Sequence, residues 1–288
     1  MIELKAPAKI NLFLNILSKR EDNYHEIETI LQTITLFDKI TLEVLDYPGI
    51  YLKSYGYSIP KGEDNLAYKA TKLIIDKYNL KDKGISITID KQIPVGSGLG
   101  GGSSDAACVL IGLNRLFNLS IKREEFIEYA KLLGSDIAFF LFGKMALCKG
   151  IGHDVLPLPF RYDLWFILVF QEFQISTSWA YKEFDAYGGF KKEKLIDGII
   201  SGLKAYDLPT IGKNIYNSFE DVIYKYYPFL FDVKSMLLSA GCIGSGLSGK
   251  GPTIFGLVEN EQQAWQVFET LKKRQSNLKL QIVRAKNF

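Results

Sequence analysis

Ile10, Leu12, Leu14 and Ile16 alternate with Lys9, Asn11, Phe13 and Asn15, and this two-residue period predicts an opening strand. Its one face is aliphatic, and Lys9 and Asn11 stand side by side on the other. Ile85, Ile87 and Ile89 alternate with Ser86, Thr88 and Asp90 in a second strand. The period then changes: Ala106, Val109, Leu110, Leu113, Leu116 and Phe117 fall at helical spacing. Helices are also expected over Leu66–Tyr78, capped by Asn65, and over Glu124–Leu133, Pro228–Ala240 and Glu261–Lys273. Pro228 suits a first helical turn and Gly241 a stop. Trp165–Phe170 and Thr253–Val258 read as strands. Leu156-Pro157-Leu158-Pro159 interrupts the pattern, so an α+β chain of two domains is expected, 1–158 and 159–288.

Between the second strand and its helix lies PVGSGLGGGSSDAA, Pro94–Ala107, with five glycines and three serines in the nine residues from Gly96 to Ser104. A glycine-rich approach to a helix N-terminus offers backbone N–H donors and the positive dipole end, both suited to phosphate. A Walker A loop is excluded because Gly102, not Lys, precedes Ser103. Gly96, Gly98 and Gly101 satisfy GxGxxG, a weak match in so glycine-rich a segment. A Rossmann unit would also need an acidic residue closing the next strand, whereas Glu124 and Glu125 lie in a helical pattern. HRD, DFG and GxSxG motifs are absent. A flexible linker does not fit between a strand and a well-formed helix. A second glycine cluster runs from Gly241 to Gly251.

Composition narrows the classes. A chain of 288 residues, 47% hydrophobic, can bury a sizeable core. Its net charge of +3 is too small to imply a nucleic-acid partner, and Lys191–Lys192 and Lys272–Arg274 read as solvated faces. Three cysteines without a CxxC pair argue against a disulfide framework or zinc site and fit a reducing cytoplasm. With only His25 and His153, no multi-histidine centre is available, and no metal-ligand set is assigned. Leu164–Phe170 is too short to span a bilayer, and Asn11 and Asn15 interrupt the N-terminal apolar run, so no membrane partner is expected.

Three ordered motifs carry a family resemblance: Pro7-Ala-Lys-Ile-Asn-Leu12, Pro94–Ala107 and Gly244-Ser-Gly-Leu-Ser-Gly-Lys-Gly-Pro252. Together they resemble the GHMP kinases, the superfamily of galacto-, homoserine, mevalonate and phosphomevalonate kinases. Asp22-Asn-Tyr-His-Glu26, Gly134-Ser-Asp-Ile-Ala-Phe-Phe-Leu141 and Ile175-Ser-Thr177 are similar to the branch that phosphorylates a cytidyl-bearing alcohol in non-mevalonate isoprenoid synthesis. The resemblance implies an N-terminal domain like ribosomal protein S5 domain 2 and a ferredoxin-like C-terminal domain. It also implies transfer from ATP, with Mg2+, to a tertiary hydroxyl of a small-molecule cytidyl substrate. Another GHMP kinase of homoserine or mevalonate type is the alternative.

By the same resemblance Asp136 is the base, though Gly134 and Ser135 or Asp136 could equally end one helix and cap the next. Lys9 is its implied partner, and Asn11 orients either the acceptor hydroxyl or Lys9. Pro94, Gly96, Gly98, Leu99, Gly100, Gly101, Gly102, Ser103 and Ser104 are assigned to the nucleotide, the two serines as phosphate or magnesium contacts or else simple helix caps, with Asn65 and Lys91 nearby, while Asp105 serves the helix N-terminus. Tyr24 and Tyr181 would sandwich the cytosine, His25 would read its edge, and Thr177 lies in the accompanying loop. Three positions depart from the family pattern. Asn23 replaces a glycine that a left-handed turn favours, Ala138 replaces a proline, and Lys250 fills a slot usually held by a small residue. Lys250 could add charge near the phosphates or point into solvent.

Overall fold

The computed structural model describes residues 1–160, 163–188 and 196–286, so the Lys191–Lys192 pair lies outside the described residues. Two long antiparallel strands, β1 (Ile2–Lys19) and β2 (His25–Leu45), form the spine. The turn between them holds Asn23 at φ 65°, the left-handed geometry expected of that position. β2 is long enough to serve two partners. Its Lys39–Leu45 half pairs with β4 (Gly84–Lys91), and its Thr29–Gln32 stretch pairs with β5 (Met145–Lys149). β3 (Gly49–Gly56) adds an edge parallel to β4, β6 (Asp154–Pro157) pairs with β5, and β8 (Tyr216–Asn217) lies parallel to β1.

β1 is not the one-sided strand its alternation suggested. Residues on both of its faces are buried from Ala8 to Ile16, and its register with β2 shifts between Pro7 and Lys9 and between Asn11 and Phe13. Those irregularities bracket Lys9 and Asn11, two polar residues buried along the strand.

Helices α1 (Leu66–Lys77) and α2 (Gly101–Leu116) cover one side of this sheet, closing a core of Ile40, Leu42, Ile85, Ile87, Ile89, Ala106, Val109 and Leu113. Asn65 caps α1 as expected, its Oδ1 accepting from the Ala67 and Tyr68 N–H groups. α3 (Arg123–Leu133) ends at Gly134, and the short α4 (Ile137–Phe142) follows at once with Ala138 buried inside it.

The second sheet is wholly antiparallel, with β7 (Trp165–Phe170), β9 (Gly244–Leu247), β10 (Ile254–Val258) and β11 (Lys279–Arg284) in the order β11-β7-β10-β9. Numbered by their place in the chain, these strands run fourth, first, third, second, the ferredoxin-like order. α5 (Thr177–Tyr187), α6 (Asp197–Ala205), α7 (Leu208–Lys213), α8 (Glu220–Tyr226), α9 (Pro228–Ser239) and α10 (Glu261–Arg274) complete the half. Ile167 and Val169 face one core of this half with Phe184, Leu237 and Val267. Phe166 and Leu168 face the other, where Ile10, Leu12, Ile30 and Ile34 arrive from the first sheet. Burial on both faces explains why β7 reads as an unbroken apolar run. No helix among the described residues is long and apolar enough to cross a membrane.

Candidate active site

A single cavity of about 950 Å³ is lined by all three motif regions, including Lys9, Asn11, Tyr24, His25, Asp136, Thr177 and Tyr181. Lys9 is its organising cation. Lys9 is 4% exposed, and its ammonium donates to Asn11 Oδ1 (2.7 Å) and to the Gly98 carbonyl (2.9 Å), with Asp136 Oδ2 at 3.8 Å. Burial pushes the Lys9 ammonium below its ordinary value, and the Asp136 charge opposes that shift. Asn11 is held by its own Nδ2 donating to Thr29 Oγ1 (2.9 Å), so it serves Lys9.

Asp136 stands at the N-cap position of α4, as the capping alternative required, yet its side chain makes no capping hydrogen bond. The backbone uses the position while the carboxylate stays turned to Lys9 and the cavity. A capping aspartate would have spent its oxygens on N–H groups. This one has not.

The glycines do not share one purpose. A Cβ on Gly98 (φ +83°) would come within 2.0 Å of the Ser248 carbonyl oxygen, so that glycine exists for the close approach of the third motif. Ser248 Oγ donates to the Gly98 carbonyl (3.1 Å), and the Thr253 N–H donates to the Ser97 carbonyl (3.3 Å). Gly102 is different. A Cβ there would meet nothing nearer than Leu66 Cδ1 at 3.9 Å, and the residue is exposed at the cavity wall. No atom among the described residues forbids a side chain at Gly102, at the start of α2 on the cavity wall.

Several expected nucleotide residues sit otherwise than expected. Leu99 points its side chain into the core between the sheets, and what it offers is a carbonyl that accepts from the Lys9 N–H (2.9 Å). Ser104 is one turn into α2 and fully buried, off the cavity wall, with an Oγ lacking a hydrogen-bond partner among the described residues. Asp105 does not serve the helix terminus. Its Oδ2 accepts from Lys91 Nζ (2.6 Å), and Lys91 also donates to Asp38 Oδ2 (2.5 Å), forming a buried two-carboxylate, one-lysine cluster under the loop. Burial, opposed by Lys91 and helped by Asp38, pushes the Asp105 carboxyl up to about 7. Lys91 therefore reaches the cavity with its charge already shared. Pro94, Gly96, Gly100, Gly101, Ser103 and Asn65 line the cavity.

At the other end Tyr24 is 60% exposed and Tyr181 stacks on His25, centroids 4.5 Å apart. The His25 Nε2–H donates to Asp185 Oδ1 (2.7 Å), and Lys19 donates to Asp185 Oδ2 (2.6 Å). Burial would raise the Asp185 carboxyl, but these two hydrogen bonds prevail and hold it below its usual value. Asp185 was missed in the sequence, although it lies one helical turn after Tyr181 and so on the same face of α5. Asp38, the charged break in the apolar stretch Leu36-Phe37-Asp38-Lys39-Ile40, was missed as well. Burial, and then the Asp136 charge, push the Tyr181 phenol up, which ties the aromatic end to the Lys9–Asp136 pair.

These features define a phosphotransferase site of GHMP type, and the comparisons agree. Residues 65–144 match the GHMP kinases N terminal domain and residues 199–277 the GHMP kinases C terminal domain. The chain belongs to the GHMP kinases. A 4-diphosphocytidyl-2-C-methyl-D-erythritol kinase from Syntrophomonas wolfei is 40% identical over 275 residues, 95% of each chain. A similarly named kinase from Macrococcus caseolyticus is also 40% identical, over 94% of this chain and 95% of its own. A crystal structure of 4-(cytidine 5'-diphospho)-2C-methyl-D-erythritol kinase superposes with a TM-score of 0.83 over 99% of this chain and all of that one, at 30% identity. L. major mevalonate kinase in complex with R-mevalonate shares the fold at a TM-score of 0.77 and 19% identity. Within the superfamily, the chain is a member of the 4-diphosphocytidyl-2-C-methyl-D-erythritol kinase family.

Proposed function

We infer that this chain transfers the γ-phosphoryl group of ATP to the 2-hydroxyl of 4-diphosphocytidyl-2-C-methyl-D-erythritol. The observation that carries the reading is the Lys9–Asp136 pair, set in one cavity that has the glycine loop at one end and Tyr24, His25 and Tyr181 at the other. In this reading the acceptor oxygen attacks the γ-phosphorus, Asp136 takes the hydroxyl proton, and ADP leaves with the bridging oxygen. Lys9 supports the developing negative charge from a buried position, where a cation acts more strongly than in water. Asn11 and the Gly98 carbonyl fix the direction of its ammonium before substrate arrives.

The open wall at Gly102 and the loop N–H groups would hold the triphosphate, and Asn65 and Lys91 border it. Among the described residues no group of three or more His, Cys, Asp or Glu side chains is placed to hold a metal ion. In this reading a magnesium ion would be carried mainly by phosphate oxygens and water, as such ions commonly are. The groups this chain could add are the Ser103 hydroxyl and the Asp105 carboxylate, whose Oδ1 has no hydrogen-bond partner among the described residues. When bound, the ion would neutralise phosphate charge.

Tyr24 and Tyr181 would grip the cytosine, and His25, fixed by Asp185 and by the Tyr181 ring, would present one defined edge to it. The test is ATP turnover by the purified chain with the cytidyl alcohol, its uridine analogue, mevalonate and homoserine. Turnover with the cytidyl acceptor alone is expected. Equal use of mevalonate or homoserine would overturn the acceptor assignment.

A further inference from the structure

Of the lysines that line the cavity, Lys9, Lys19 and Lys91 each have a carboxylate within ion-pair distance, and Lys182 is exposed to solvent. Lys250 has neither. It is partly buried, its Nζ donates to the Ile175 carbonyl, and no carboxylate among the described residues pairs with it. Its loop is pinned beside the phosphate end of the site. Ser248 bonds the Gly98 carbonyl, Asn217 Nδ2 donates to the Gly249 carbonyl (2.6 Å), and a Cβ built on Gly249 would lie 3.3 Å from Lys9 Nζ. A half-desolvated cation beside a second cation, without its own anion, is an arrangement that an arriving anion relieves.

We propose that Lys250 is a phosphate-binding residue, a second cation that joins Lys9 in holding the polyphosphate of ATP where the transferred group leaves the glycine loop. The proposal rests on the reading of this chain as an ATP-dependent kinase. Burial, and then the Lys9 charge, bring the Lys250 ammonium down to about 8, so it is still mainly protonated near neutral pH. The three hydrogens of an ammonium allow it to keep Ile175 and still donate into the cavity. One loop thereby ties the third motif, the start of the α5 segment and the phosphate end to a single side chain.

The test is calorimetric binding of inorganic tripolyphosphate, and separately of ATP, to wild type, Lys250→Met and Lys250→Arg, with thermal melting as the control for folding. Lys250→Met should weaken tripolyphosphate about tenfold, about 1.4 kcal/mol, while Lys250→Arg stays close to wild type. A loss smaller than fivefold in Lys250→Met overturns the proposal, as does an arginine variant no better than the methionine one. If Lys250 were only a latch on Ile175, Lys250→Met would melt earlier with its tripolyphosphate affinity intact, which also overturns it. Lys250→Ser is read by the same fivefold limit should the methionine variant not fold. Wild-type turnover of the cytidyl acceptor is scored independently, so failure of the kinase reading is distinguishable from failure of the Lys250 assignment.

Discussion

Gly102→Val separates the demands of the fold from those of the ligand. Gly102 lies in the first turn of α2, and the space where its Cβ would go is open, with the nearest atom 3.9 Å away. Replacing glycine with valine in a helix gains roughly 0.3 kcal/mol on intrinsic propensity, so the melting temperature of the unliganded protein should hold or rise slightly. ATP binding should move the other way. If the branched side chain costs one charge-assisted hydrogen bond between loop and phosphate, worth about 1.5–3 kcal/mol, affinity falls roughly ten- to a hundredfold. Gly98→Ala is the control, because its Cβ would meet the Ser248 oxygen at 2.0 Å and its φ is +83°. The left-handed geometry alone costs a non-glycine residue about 1–2 kcal/mol, so that variant should melt earlier. Gly101 is a poorer probe, since a Cβ there would also press on Lys91 Nζ at 2.9 Å. Calorimetry with ATP and thermal melting on both variants decide the matter. A folded Gly102→Val that binds ATP within threefold of wild type would refute the phosphate reading of that wall.

Asp136→Asn should keep the fold and ATP affinity but lose turnover on the order of a hundred- to ten-thousandfold, as rapid-quench kinetics would show; near wild-type turnover would remove Asp136 as the base. Tyr24→Ala should raise the dissociation constant of the cytidyl acceptor severalfold to about a hundredfold with ATP affinity unchanged, taking stacking as roughly 1–3 kcal/mol per base. The Asp105 carboxyl, facing Asp38 of β2 and Lys91 of β4 and followed on α2 by Cys108, is pushed up in the folded chain to about 7. Its contribution to stability is therefore full below the unfolded value near 3.8 and lost as pH rises through about 7. Urea unfolding should show the stability of wild type relative to Asp105→Asn shrinking between pH 5 and 8, and a constant difference would contradict the shift.

How much of this was legible follows from where each signal is stored. The Ile85–Ile89 alternation gave β4 because α1 and α2 cover one face of that strand, and the caps and periods of α1, α3, α9 and α10 are local. β2, at 21 residues the longest strand, went unread. Ile34 faces the layer between the sheets, Ile40 and Leu42 face the α1–α2 core, and Leu31 packs with Phe139, so its apolar positions follow no single period. β9 was hidden in a glycine cluster whose glycines answer to neighbours, Gly244 meeting the Gly212 backbone and Gly246 the Ile215 side chain. In the site, Lys9, Asn11 and Asp136 were legible through residue type and motif. The use of Asp105 was not, because its partners Asp38 and Lys91 come from other strands.

The three motifs converge on one backbone atom, the Gly98 carbonyl oxygen, which accepts from Lys9 Nζ of the first motif and from Ser248 Oγ of the third. A glycine loop without a Walker lysine has no charge of its own to place beside a phosphate. In the proposed reading that charge comes from Lys9 on β1, whose position the register shifts on either side of Lys9 and Asn11 bracket. The loop in turn needs a fixed shape, and it gets one from the Ser248–Thr253 segment packed against Gly98 and Ser97. The same economy holds at Asp136, whose backbone starts α4 while its carboxylate makes no capping bond. Lys9 is thus aimed by the Asn11 side chain and the Gly98 carbonyl, and Asp136 by the backbone that starts α4. That arrangement allows Lys9 and Asp136 to stand 3.8 Å apart, the lysine buried and the carboxylate open to the cavity.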